Sequence, residues 1–265
     1  MCDVCGCGSH DDHDHSHSHS HDQNHDHTHE HNHDHDHSHK SKTVNVEASL
    51  FATNNALADT NREDFREDGI VAINLISSPG SGKTTLLEHT IDALKGEINI
   101  GVIEGDIETE RDAERIRAKG VPTIQLTTGG ACHLDAAMVH KGYRRLCKEK
   151  EGGDIQLLFI ENVGNLVCPA SFDIGEDERV VLVSVPEGPD KPAKYPKAFS
   201  SSQTFVITKC DLLPYFDFKC EDALHDAKKI NPHLRTMELC STSGEGMDAW
   251  LSYLREMVKK FAVAE

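Results

Sequence analysis

The residues with the most chemistry in this sequence fall into three sets: a glycine-rich run suited to a phosphate chain, carboxylates suited to a hard divalent cation, and cysteine–histidine clusters suited to a softer metal. The run is Ser77-Ser78-Pro79-Gly80-Ser81-Gly82-Lys83-Thr84-Thr85, between an apolar stretch and a helical one. It matches the phosphate-loop pattern G-x-x-x-x-G-K-[ST], with Ser77 in place of the first glycine and Gly82-Lys83-Thr84 intact. Gly80, Ser81 and Gly82 let backbone N–H groups face phosphate oxygens. Lys83 supplies a cation for the β and γ phosphates, and the hydroxyl of Thr84, followed by Thr85, can ligate Mg²⁺. Asp106, in Gly105-Asp106-Ile107-Glu108, is the first choice for holding Mg²⁺ or the attacking water, whereas Glu108 could as well cap the next helix. Glu161 begins Glu161-Asn162-Val163-Gly164, where many nucleotide hydrolases have D-x-x-G, and Gly164 would let a γ-phosphate approach the backbone. Lys83, Asp106 and Glu161 are the candidate catalytic residues.

A base-reading element follows downstream. Thr208-Lys209-Cys210-Asp211 resembles the N-K-x-D of GTPases, with Thr for Asn. The Asp211 carboxylate can accept hydrogen bonds from guanine N1–H and its exocyclic amine, a donor pair that adenine lacks. Each such bond to a charged group contributes about 1.5–3 kcal/mol, enough to select GTP over ATP. The Lys209 stem would lie along the base, and Ser241-Thr242-Ser243 is positioned to supply a second base-contacting loop.

Three groups of metal ligands stand out. Cys2, Cys5 and Cys7 form C-x-x-C-G-C, three thiolates able to close around one soft or borderline ion. Between His10 and His39 lie fourteen of the nineteen histidines, interleaved with Asp and Ser, which gives many weak, exchangeable imidazole sites suited to storage. The third group is Cys132-His133, expected to open a helix, together with Cys168. Neighbouring residues point about 100° apart on a helix, so one chain closes such a site poorly and a two-fold axis would help. On spacing alone, a metal site and buried inert thiols stand level.

These residues require a scaffold. Ile70–Ile76, Ile98–Glu104, Thr123–Leu126, Ile155–Ile160, Val180–Val185 and Thr204–Thr208 read as buried strands, rich in Val and Ile without strict alternation. Helical stretches alternate with them: Lys83–Leu94, Glu110–Lys119, His133–Lys150, Cys220–Lys229 and Gly246–Phe261, with Ala48–Asp68 a further helical candidate. The fold class is α/β, a doubly wound, mostly parallel sheet with helices on both faces, as in P-loop NTPases. The histidine, aspartate and serine composition of residues 1–42, with almost no apolar residue, cannot bury enough apolar surface to offset ordering entropy. That stretch is expected to be a disordered Cys/His-rich metal-binding tail, and residues 43–265 the nucleotide-binding domain.

A net charge of −18, with no basic run, excludes a nucleic-acid footprint. No apolar window suits a membrane span, and no signal peptide opens the chain. A cytoplasmic location follows as the expectation, with the nine cysteines as thiols or metal ligands.

Taken in order, Ser77–Thr85, Gly105-Asp106-Ile107, Gly129-Gly130-Ala131-Cys132-His133-Leu134-Asp135, Glu161-Asn162-Val163-Gly164-Asn165-Leu166-Val167-Cys168-Pro169 and Glu187-Gly188-Pro189-Asp190-Lys191-Pro192 resemble the HypB family, GTPases that deliver nickel to [NiFe]-hydrogenase. The likeness spans roughly 45–262, and the N-terminal cysteine and histidine motifs also occur in that family. It implies a GTP/GDP-binding switch with Mg²⁺ and Ni²⁺, Zn²⁺ being a further candidate ion. It also implies a metal site at Cys132, His133 and Cys168 near a GTP-dependent homodimer interface, and as partners a HypA-type nickel chaperone and the [NiFe]-hydrogenase large subunit. The urease accessory family, UreG, carries C-P-H instead; here Ala170 follows Cys168-Pro169. A nickel-storage protein with a vestigial nucleotide site is the rival from another class, opposed by the intact Lys83, Thr84, Asp106 and Asp211. No arginine finger is identifiable, so intrinsic hydrolysis is expected to be slow.

Overall fold

In the computed structural model, residues 38–107, 111–148 and 154–263 are described, with side chains from 48 to 262. The chain divides into a unit up to Leu50 and a unit from Phe51 to Glu265, which holds the fold. Cys2, Cys5, Cys7 and the histidine tract up to His37 lie outside the described residues, as does Glu108.

Seven strands form one sheet: β1 (Val71–Ser77), β2 (Ile100–Asp106), β3 (Thr123–Thr127), β4 (Leu157–Glu161), β5 (Glu178–Ser184), β6 (Thr204–Thr208) and β7 (Arg235–Glu238). Their spatial order is β3-β2-β4-β1-β5-β6-β7, and every pairing is parallel. The six expected strands are present, Thr204–Thr208 as expected and the other five with ends shifted by one or two residues. β7 is additional: its residues Arg-Thr-Met-Glu are partly exposed at the sheet edge and offer no apolar run to read.

The central strands are buried on both faces, as parallel sheets require. Along β1, Val71, Ile73 and Leu75 pack into one core with Leu86, Ile91, Trp250 and Leu254. The alternate residue Ala72 packs into the opposite core with Phe65, Ile103, Leu134 and Tyr143. A third cluster around Phe199, Phe205 and Ile207 continues beneath β5 and β6.

The helices are α1 (Ser38–Glu67), α2 (Lys83–Leu94), α3 (Arg111–Arg117), α4 (Ala136–Lys148), α5 (Lys191–Lys194), α6 (Pro196–Ser200), α7 (Cys220–Ile230) and α8 (Met247–Val263). Trp250 is fully buried, and its indole N–H donates to Thr90 Oγ1 at 2.9 Å, tying α8 to α2. No described helix is long and apolar enough to cross a membrane.

One expectation is corrected. Cys132 and His133 do not open α4. Asp135 Oδ1 accepts the Met138 N–H at 2.8 Å, the bond an N-cap makes to the third helical residue, so the helix begins at Ala136. The two ligand residues lie in the irregular loop before it, after Gly129 and Gly130 at φ 62° and 102°.

Candidate functional site

β1 lies at the middle of the sheet, between β4 and β5. The chain turns from β1 into α2 through the glycine-rich run, at the carboxyl ends of the strands where doubly wound sheets bind ligands. Gly80 and Gly82 have φ of 75° and 91°, a conformation that suits glycine and points successive N–H groups inward. A Cβ at Gly80 would meet nothing within 4 Å, so the concave side of the loop is open. It faces a cleft of about 450 Å³ lined by Lys83, Thr84, Thr85, Asp106, Glu161, Gly164 and Lys209 among others.

Lys83 is nearly buried. Its Nζ donates to Ser77 Oγ at 3.0 Å and stands 3.9 Å from Glu161 Oε1. Ser77, the departure from the usual glycine, therefore provides the lysine with an acceptor. Thr84 Oγ1 donates to Glu161 Oε1 at 2.9 Å. Glu161, at the end of β4, and Asp106, at the end of β2, thus reach the same cleft from different strands. Glu104, two residues before Asp106, was not singled out from the sequence because it reads as the last residue of an apolar strand. It is 2 % exposed and lines the cleft beside Glu161. Burial first, and then repulsion from Glu161, push its carboxyl well above the ordinary range. Burial raises Glu161 too, against the pull of Lys83 and Thr84. Glu104 Oε2 and Glu161 Oε2 are buried without a hydrogen-bond partner. Orphan carboxylate oxygens beside a threonine hydroxyl and Asp106 fit a hard divalent cation such as Mg²⁺.

Several supports of the phosphate loop also escaped the sequence reading. Ser81 Oγ donates to Glu187 Oε2 at 2.6 Å, and the Ser184 N–H and Oγ donate to the same oxygen at 2.8 Å each. Burial raises Glu187, but the Ser81 and Ser184 donors outweigh it and hold the carboxylate below its usual value. Thr208 Oγ1 donates to the Ser81 carbonyl at 2.7 Å, so threonine in the T-K-x-D element still ties that element to the phosphate loop. Lys209, at φ 59°, sends its Nζ to the Gly80 carbonyl at 2.7 Å. Beyond it, Asp211 lines a second pocket of about 190 Å³ with Gly82, Thr85, Thr208, Lys209, Ser241 and Thr242. Arg115 of α3 does line the cleft, but its guanidinium is held by Glu88 at 2.6 Å and Asp112 at 3.0 Å.

The third group of ligands comes together within one chain. Single ligand atoms of Cys132, His133 and Cys168 all lie within 4.8 Å of one another. The Cys132 and Cys168 Sγ atoms are 2.8 Å apart, too far for the ~2.05 Å bond of a disulfide. His133 Nδ1 stands 3.8 Å from Cys132 Sγ. Because the pair lies on a loop rather than a helix, adjacent side chains can converge. The His133 ring stacks on Phe172 with centroids 4.0 Å apart, and Phe51 of α1 packs against Phe172 at 5.0 Å. Burial lowers the His133 pKa against the attraction of Asp135, which favours the neutral, ligating form. Two thiols and an imidazole suit nickel or zinc better than magnesium.

Comparison with known proteins decides the family. The nucleotide-binding domain of the CobW/HypB/UreG family matches residues 71–238. The hydrogenase maturation factor HypB of Escherichia coli strain K12 is 49% identical over 211 residues, covering 80% of this chain and 71% of that protein. The chain belongs to the HypB family. The crystal structure of HypB from Helicobacter pylori in complex with nickel superposes with a TM-score of 0.75 at 38% identity, over 78% of this chain and 96% of that one. HypB from Archaeoglobus fulgidus does so at 0.72 and 43%, over 78% and 99%. As a HypB-family protein the chain is a GTP-hydrolysing P-loop protein of hydrogenase maturation, and its fold is the one expected from the sequence.

Proposed function

We propose that this HypB-family GTPase binds nickel at Cys132, His133 and Cys168 and promotes its insertion into the [NiFe]-hydrogenase large subunit, releasing the ion according to nucleotide state. The observation that carries this reading is the continuity of one short segment. Gly164, opposite the phosphate loop, and Cys168, a ligand, are four residues apart on the loop after β4. In this reading the phosphate loop and Lys83 bind the GTP phosphates, Thr84 with Asp106 and Glu161 would hold Mg²⁺, and Asp211 selects guanine. When bound, Mg²⁺ supplies charge neutralisation at the phosphates. Switch loops held by a γ-phosphate relax after hydrolysis, so the metal ligands would rearrange with it.

The solvent side of the ligands supports a partner there. Val167, 53% exposed, adjoins Cys168 of the nickel site, and Ile107, 41% exposed, adjoins Asp106 of the Mg²⁺ site. Apolar side chains beside such a site favour a GTP-dependent homodimer and docking of a HypA-type nickel chaperone. The His-rich tail with Cys2, Cys5 and Cys7 would store nickel, in a cytoplasmic protein. The composition of the donor set admits zinc as well, so metal content of purified chain is to be measured for both ions. The test of the central reading is stoichiometry: Cys168→Ala should lose one metal per chain relative to the parent, with basal GTP turnover retained. Unchanged stoichiometry would exclude the three residues as a site.

A further inference from the structure

We propose that Asn165 is the positioning residue that carries the state of the phosphate site to the two cysteines. The inference rests on the nucleotide-switched reading of the metal site and names the part through which the switch acts.

Asn165 is joined to the phosphate loop through its backbone. Ser77, the last residue of β1, forms an isolated antiparallel bridge with Asn165. The preceding residue is pressed against the same loop: a Cβ at Gly164 would lie 2.9–3.0 Å from the Cγ, Cα and N atoms of Pro79. Such a contact leaves no slack, so a shift of the phosphate loop must move Gly164 and Asn165. Ser77 is also the acceptor for Lys83 Nζ. A γ-phosphate that recruits this lysine removes the hydrogen bond from Ser77, directly behind the bridge.

The side chain of Asn165 faces the metal ligands. Its Oδ1 accepts the Val167 N–H at 2.8 Å, and its Nδ2 donates to the Cys132 carbonyl at 3.4 Å. One carboxamide therefore spans the gap between the residue before Cys168 and Cys132 itself. The first bond is short and local. The second is near the outer limit for a hydrogen bond, and is the one a small displacement would tighten or break. The backbone segments that carry both thiols are thus bonded to a residue whose own backbone is bridged to Ser77, at the edge of the phosphate loop.

Asn162 offers a contrast. It accepts the Leu134 and Val163 N–H groups at 3.0 Å each and donates to Asn74 at 3.3 Å. At 1% exposure it is a fixed support in the core. Substituting it should lower stability at every nucleotide state, whereas substituting Asn165 should alter coupling.

The experiment uses the full chain, with GDP and a non-hydrolysable GTP analogue titrated in the presence and absence of Ni²⁺. In the parent, nickel should change the ratio of the two nucleotide affinities by about fivefold or more, and Cys168→Ala should abolish that change, which assigns it to the internal site rather than the tail. In Asn165→Ala the ratio should become nearly independent of nickel. The nucleotide affinities without metal should stay within about twofold of the parent, and the nickel–thiolate absorption that Cys168→Ala removes should persist. Asn165→Asp keeps the acceptor for Val167 and loses the donor to Cys132, so it should behave as Asn165→Ala does while disturbing the fold less. If the parent shows no nickel-dependent ratio, the nucleotide-switched reading fails and the role of Asn165 with it. If the parent couples and both Asn165 variants couple equally well, or if they weaken nickel identically with GDP and with the analogue, the role of Asn165 alone is overturned.

Discussion

In the proposed function, base specificity rests on one side chain, Asp211. Its carboxylate can pair with both donors of guanine, and an amide in its place presents one acceptor and one donor. Asp211→Asn should weaken GTP by roughly tenfold to a hundredfold and improve xanthosine triphosphate, since about 1.4 kcal/mol corresponds to tenfold. Competition binding with the two triphosphates checks this, and unchanged GTP affinity would remove Asp211 from the base site. Residues of this kind were legible in the sequence because their types and order repeat a known chemistry: Lys83, Thr84, Asp211 and the Cys132/His133/Cys168 set were all named from it. Glu187 appeared only as the first residue of a family motif and Glu104 only as the end of a strand, neither with a role, and Phe172 was not named at all. Their roles arise from neighbours far away in the chain, such as Ser81 on Glu187 and His133 on Phe172, and nothing in their local spacing announces them.

Elements decide how accurately those residues are held. The helix α2 was read to the residue, since Gly82 and the apolar period of Leu86, Leu87, Ile91 and Leu94 mark it at both ends. The start of α4 was misplaced by three residues because the apolar pattern runs through His133 and Leu134, whereas the Asp135 cap sets the true boundary. β7 was unreadable, being four residues long with a polar sequence. Two substitutions test the load on these elements. Gly164→Ala must displace Pro79 or the loop after β4; a misplacement approaching 1 Å at such a site costs up to about a hundredfold in rate. GTP turnover should accordingly fall by tenfold or more in that variant, while full activity would show that the contact is loose. Trp250→Ala removes the largest buried side chain between α8 and α2 together with its bond to Thr90, and should cost about 3–5 kcal/mol in a denaturation experiment.

At the scale of the molecule, the proposed function joins a storage segment to a switched site, and protons should distinguish the two. Tail imidazoles of ordinary pKa, about 6.5, should release nickel between about pH 7 and 5. Burial depresses the His133 pKa, so that imidazole resists protonation to lower pH than those of the tail, and the internal nickel should persist after the tail imidazoles have emptied. Equilibrium dialysis of the full chain and of a chain lacking residues 1–42 would show this as two steps and one. Retention of full nickel capacity after the deletion, which removes fourteen histidines and Cys2, Cys5 and Cys7, would exclude storage by the tail. In the proposed function, GTP and the internal metal answer to one another. The most direct measurement is a nickel titration of the chain lacking residues 1–42, once with GDP and once with a non-hydrolysable GTP analogue, with sedimentation followed in parallel. Nickel affinities should differ by about 5–150-fold between the two states, with a shift towards dimer in the GTP-like state. Equal affinities with an unchanged sedimentation coefficient would contradict the proposed function.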